Sequence, residues 1–148
     1  MYDAAAKQAI TLARRLKNEY SDIESICIAK DIHILFTALS RGVTGLHVHT
    51  HRMHTIAIQK SLDPYLTRFI IGHELGHYFM DKTQNKLYID TYISKNDYAE
   101  RRADIFAAAL ILPDQVPPEF ADYTSDQLAS YYGIPTWTVE LIYRAYFF

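Results

Sequence analysis

Apolar residues at the start of the chain recur at intervals of three and four: Tyr2, Ala5, Ala6, Ala9, Ile10, Ala13, Leu16 and Tyr20. That spacing predicts an amphipathic helix over residues 3–19. Ser21 followed by Glu24 is a capping-box signature for a second short helix, over about 22–30. The period then changes. "IHILFTAL" reads as a strand, and "GLHVHT" and "HTIAIQ", separated by a few residues, read as a hairpin. Asp63-Pro64 is a strong helix start, with Asp as N-cap and Pro in the first helical position, and this helix is expected to run to about Phe79 or Met80. Asn96 is placed to cap a further helix that ends before Pro113. Residues 81–95, "DKTQNKLYIDTYISK", read as irregular.

Composition narrows the class. A chain of 148 residues, 49% hydrophobic and 22% charged, is one globular domain's worth of sequence. The net charge of −2 gives no reason to expect nucleic acid or an anionic membrane as partner. Cys27 stands alone, so no internal disulfide can form, which suits a reducing compartment and a core position. The first twenty residues lack the apolar run of a signal peptide, and "IFAAALIL" is far too short to span a bilayer. A cytoplasmic single domain is the expectation.

"IIGHELGHYFM" is the stretch that carries chemistry. His73 and His77 lie four apart on the helix that Pro64 opens, so both imidazoles leave one face. Glu74 is rotated from His73 by about 100° and can lie beside an ion without being its nearest ligand. His-Glu-x-x-His is the arrangement in which two histidines bind zinc and the glutamate acts as general base. Leu75 is expected to face the core, and Gly76 to let a neighbouring backbone come close. Two buried histidines could instead be satisfied by backbone carbonyls, so the test is whether further ligands follow. They do: "YAERRADIFAAALILP" places Glu100 and Asp104 one turn apart on another helix. Glu100 suits a third ligand of a tetrahedral site, and Asp104 suits the acceptor for the free N–H of a ligating histidine. A position for water remains, which zinc would acidify toward a pKa of ~7, with Glu74 to take its proton and pass it to the leaving amine.

These two motifs together resemble the ImmA/IrrE-type zinc metallopeptidases, whose pattern is HELGH and then E-x-E-A-N/D-x-F-A-x-x-L-L-M-P. The histidines, Glu74, Glu100, Ala103, Asp104, Phe106, Ala107, Leu110 and Pro113 match. Arg102 stands where the pattern has its second glutamate, and Ile111-Leu112 where it has Leu-Met. The departure at Arg102 spares the ligand position and is expected to alter a surface or substrate contact. More loosely, the likeness runs from about residue 20 to 113.

The resemblance implies an α+β fold: a compact gluzincin-like domain with a small antiparallel or mixed sheet packed on an active-site helix, plus a C-terminal helical pair. Residues 1–20 would be an N-terminal helix, about 20–113 the catalytic core and about 119–148 the helical pair. It implies one Zn2+ per chain and a zinc endopeptidase of the bacterial cytoplasm, often carried on mobile elements. Its protein substrates would be helix-turn-helix repressors, whose cleavage derepresses genes. Tyr88, Tyr92 and Tyr98 are candidates for an added oxyanion donor. A zinc-stabilised regulator that binds its partner without cutting it is the alternative, although such a binder has no evident need of Glu74.

Two further features invite a functional reading. His47, His49, His51 and His54 gather around the hairpin, with His47 and His49 on one strand face, where they could bind a second ion. The plainer reading is a polar face of the hairpin; a third is a cleft edge that pairs with extended substrate by strand addition. In the tail, Ala129, Gly133, Val139 and Ile142 have helix-turn-helix spacing, with a Thr124–Gln127 capping box and Thr136 to cap the last helix. The charges do not suit DNA, since Glu119, Asp122, Asp126 and Glu140 oppose Arg144 alone. A helix pair that packs on the core or on a partner is the better reading, with Trp137, Tyr143, Tyr146, Phe147 and Phe148 as candidate docking aromatics.

Overall fold

The computed structural model describes residues 4–50, 52–81, 88–90 and 97–147. Helix α1 (Ala4–Glu19) buries the predicted stripe of Ala5, Ala6, Ala9, Ile10, Ala13 and Leu16. Its small side chains let it lie close along α4 (Asp97–Ile111), and Lys17 closes the contact. The Lys17 ammonium donates to the carbonyls of Ala109 at 3.1 Å and Leu112 at 2.6 Å, and to Asp114 at 2.7 Å. It thus satisfies acceptors that the end of α4 leaves open.

Helix α2 (Ile23–Ala29) opens one residue later than its capping-box signature implies. Asp22, in extended backbone, accepts the Ser25 N–H at 2.7 Å, while the Ser21 hydroxyl lies 3.1 Å from that of Ser25. A carboxylate at the N-cap outcompetes the neighbouring hydroxyl because it also meets the positive end of the helix dipole.

Strands β1 (Ile32–Thr37), β2 (Gly45–Thr50), β3 (Met53–Gln59) and β4 (Tyr88–Asp90) form one mixed sheet in the order β1-β3-β2-β4. β1 and β3 are parallel, and the other pairs antiparallel. The hairpin of β2 and β3 is therefore interior to the sheet. β4 occupies the outer edge of β2 from Gly45 to His47, so strand addition to the hairpin is blocked there. β4 also shows that the segment 81–95 is not wholly irregular; Asn96 and His51 lie outside the described residues. Helix α3 (Pro64–Met80) lies across the inner sheet face, where Ile56 and Ile58 are fully buried, and α4 packs along its other side. This is an α+β domain with a small mixed sheet on a central helix.

After a 3-10 turn (Pro118–Phe120), α5 (Ser125–Tyr132) and α6 (Thr136–Phe147) form the C-terminal pair. The Thr124–Gln127 capping box is complete. Thr136, however, is the first residue of α6, and its hydroxyl donates to Asp126 at 2.9 Å, tying the pair together. The pair is fastened to the core at both ends: Arg68 donates to the Tyr132 carbonyl at 3.1 Å, and the Tyr143 hydroxyl to the Pro113 carbonyl at 2.9 Å. No helix among the described residues is long and apolar enough to cross a membrane.

Candidate metal centre

Asp63 starts α3 as its sequence implies, accepting the N–H groups of Tyr65 at 2.8 Å and Leu66 at 3.4 Å. Every residue from Ile70 to His77 is buried, so the helix has no solvent face over that stretch. Its approach to α4 depends on two glycines. A Cβ on Gly76 would lie 3.0 Å from Ala103 Cα, and one on Gly72 3.0 Å from Ala107 Cβ. Both distances are tighter than ordinary van der Waals contact, so a side chain at either position would require α4 to give way. The closeness of the two helices brings Glu100 and Asp104 against His73. On the opposite side, a Cβ on Gly45 would lie 3.6 Å from Glu74 Cγ, so β2 rests directly on that glutamate.

Three donor atoms converge between the helices. His73 Nε2 lies 2.8 Å from Glu100 Oε2 and 3.1 Å from His77 Nε2, and His77 Nε2 lies 3.3 Å from Glu100 Oε1. The other ring nitrogens are engaged behind: His73 Nδ1 donates to Asp104 at 2.7 Å and His77 Nδ1 to Asp81 at 2.7 Å. With those protons committed, two nitrogen lone pairs and a carboxylate face one another, an arrangement that repels itself without positive charge at its centre. A tetrahedral ion with donors at ~2.0–2.1 Å would space them by about 3.3 Å, close to the separations found. His73, Glu74 and His77 form a group able to hold a metal ion among the described residues, and all three are buried. The donor set fits zinc.

Electrostatics agree with this geometry. Burial opposes charge on His77, yet its hydrogen bonds to Asp81 and Glu100 outweigh burial and raise its pKa to about 9. Burial likewise works against the Glu100 carboxylate, but hydrogen bonds from His73 and His77 hold it well below the usual carboxylate range. The pocket therefore favours a cation, either a proton or a metal.

Two residues of this centre stand apart from the sequence reading. Asp81 was legible by spacing, since it follows His77 by the same four residues that separate His73 from His77 and Glu100 from Asp104. Arg102, expected to alter a surface or substrate contact, turns inward instead. It is nearly buried, donating to Gln8 of α1 at 2.8 Å, to the Met80 carbonyl at 3.1 Å and to Asp81. Of the oxyanion candidates, Tyr92 lies outside the described residues and Tyr88 opens β4. The Tyr98 ring is exposed, with the Arg102 guanidinium 5.1 Å from its centre.

A buried His-Glu-x-x-His helix, faced by carboxylates from a second helix, is the framework of a metal-dependent hydrolase. Comparison with known proteins makes this specific. Residues 27–141 match the IrrE N-terminal-like domain of the peptidases, a span that includes α5 and much of α6. The chain is 30% identical over 126 residues to Metallopeptidase ImmA of Bacillus subtilis (strain 168), covering 81% of this chain and 73% of that protein. It is also 27% identical over 135 residues to Uncharacterized immunity region protein 2 of Bacillus phage phi105, covering 88% of this chain and 82% of the phage protein. The chain belongs to the ImmA/IrrE family of metallopeptidases, as its two motifs imply. A metal cofactor and a protein substrate follow from that membership.

Proposed function

We propose that this protein is a zinc-dependent endopeptidase in which His73, His77 and Glu100 hold the ion and Glu74 is the general base. The observation that carries this reading is the convergence of His73 Nε2, His77 Nε2 and Glu100 within 3.3 Å, with both Nδ1 atoms already committed to carboxylates. When bound, zinc supplies Lewis acidity, acidifying water toward a pKa of ~7 and polarising a scissile carbonyl. Glu74, on the same helix and under β2, accepts the proton of the attacking water and returns it to the leaving amine. Asp104 and Asp81 keep the two imidazoles in the tautomer that leaves Nε2 free.

The substrate we infer is a helix-turn-helix transcriptional repressor, whose cleavage would derepress its genes. Resemblance to the ImmA/IrrE group supports this, together with the phage relative described as an immunity region protein. We further assign the chain to the cytoplasm, in line with its lone, buried Cys27. The tail acts as part of the same domain through its ties at Tyr132 and Pro113.

The experiment is co-expression of wild type and Glu74→Gln with candidate repressors, with fragments mapped by mass spectrometry. Wild type should cut one repressor, and Glu74→Gln should hold it uncut, because an amide cannot accept the proton at neutral pH. If both proteins bind and derepress equally and neither cuts, the catalytic reading falls and a zinc-stabilised binder replaces it.

A further inference from the structure

Asp81 is the C-cap of α3, and its two oxygens serve different partners. Oδ2 accepts the His77 Nδ1 proton at 2.7 Å, and Oδ1 accepts from Arg102. By itself a carboxylate at this end of a helix is badly placed, because the dipole and the open carbonyls there are negative. Arg102 compensates for both. Its Nη2 bridges the Met80 carbonyl and Asp81, while its Nη1 is held by Gln8 of α1 at 2.8 Å. The planar fork of a guanidinium reaches these partners from two separate nitrogens, Nη1 toward Gln8 and Nη2 toward Met80 and Asp81, whereas an ammonium would have to serve all three from one.

Its counterpart Asp104 is held differently. Asp104 sits within α4 and reaches His73 from the neighbouring helix at 2.7 Å, so α4 itself sets its position. Asp81 stands where α3 ends, and Arg102 bonds both its carboxylate and the adjacent Met80 carbonyl. A glutamate at 102, as in the family pattern, would set a second negative charge against Asp81.

We propose that Arg102 is a positioning residue for the metal centre: it clamps Asp81 to the end of α3, so that Asp81 fixes the ring plane and tautomer of His77. This rests on His77 being a ligand. Position 102 thus makes the centre of this chain depend on an Arg102–Asp81 pair matched to each other.

The test measures zinc affinity by chelator competition and the visible spectrum of the cobalt-substituted protein, for the full chain. Asp81→Asn should weaken zinc binding by ~10–100-fold, as loss of a ligand's orienting partner does. Arg102→Gln should weaken it by roughly tenfold and change the cobalt spectrum in the same sense as Asp81→Asn. Arg102→Lys should fall between Arg102→Gln and wild type. The double variant should bind no more weakly than Asp81→Asn alone, because Arg102 acts through Asp81. Arg102 variants that lose thermal stability but keep wild-type affinity and spectrum would overturn the proposal, and so would losses that simply add in the double variant. Should Arg102→Gln fail to fold, Arg102→Lys against Asp81→Asn makes the same comparison. A wild-type chain that takes up no zinc would overturn the metal centre itself, an outcome distinct from a metal-binding wild type with unaffected variants.

Discussion

Two groups of histidines meet at α3, and their surroundings drive them in opposite directions. His73 and His77 are backed by Asp104 and Asp81 and faced by Glu100, and His77 is raised to about 9. His47, His49 and His54 gather on the inner face of β2 and β3, beside Tyr78. His47 Nε2 lies 3.2 Å from His54 Nδ1, and the rings of His49 and His54 stack at 3.8 Å. Burial pulls His47 down to about 4, and the charges acting on it are His54, His77 and His49, which push the same way. Histidine density alone does not make a metal site. A carboxylate behind one ring nitrogen, and another facing the second, make the difference. The hairpin group is a stack of imidazole rings packed against Tyr78, and no group able to hold an ion forms from it among the described residues.

The sharpest way to break this comparison is to remove one histidine from each group. His77→Ala should lose most of the bound metal, since a three-ligand site tolerates few losses, whereas His54→Ala should keep it. Within the same series Asp104→Asn should weaken affinity by ~10–100-fold without abolishing it. Metal retained by His77→Ala and lost from His54→Ala would reverse the assignment of the two groups.

A smaller effect concerns stability. The folded-state pKa of His47 lies below its ordinary value of 6.5, so on acidification the unfolded chain takes up this proton first. The stabilisation from a neutral His47 is therefore present above about pH 6.5 and is lost toward about pH 4. His47→Asn lacks that term, so its urea midpoint should approach that of wild type as pH falls from neutral to 5, measured on metal-free protein. A gap that stays constant with pH would mean that His47 is not held neutral by the fold.

Much of this architecture was legible from residue spacing. The α1 stripe, the Asp63-Pro64 start of α3 and the Thr124 capping box are local patterns, and local hydrogen bonds decide them. The two motifs also announced the five residues that the fold gathers, because i and i+4 positions share a helix face. What stayed hidden depends on contacts between elements distant in sequence. Arg102 reads as a surface residue by type, and only the packing of α1, α3 and α4 shows it buried against Gln8 and Asp81. β4 is a three-residue strand, too short for a period, and its pairing with β2 makes the hairpin interior. Gly72 gave no signal by itself; its purpose appears when Ala107 lies against it.

The central claim is a division of labour between two glutamates: Glu100 holds the ion and Glu74 moves the proton. Elemental analysis of purified Glu100→Ala and Glu74→Gln, beside wild type, tests it most directly. About one zinc per chain is expected in wild type and in Glu74→Gln, and little in Glu100→Ala, because the proposed three-ligand site takes Glu100 and leaves Glu74 unbound. Full zinc in Glu100→Ala, or its loss from Glu74→Gln, would contradict the account.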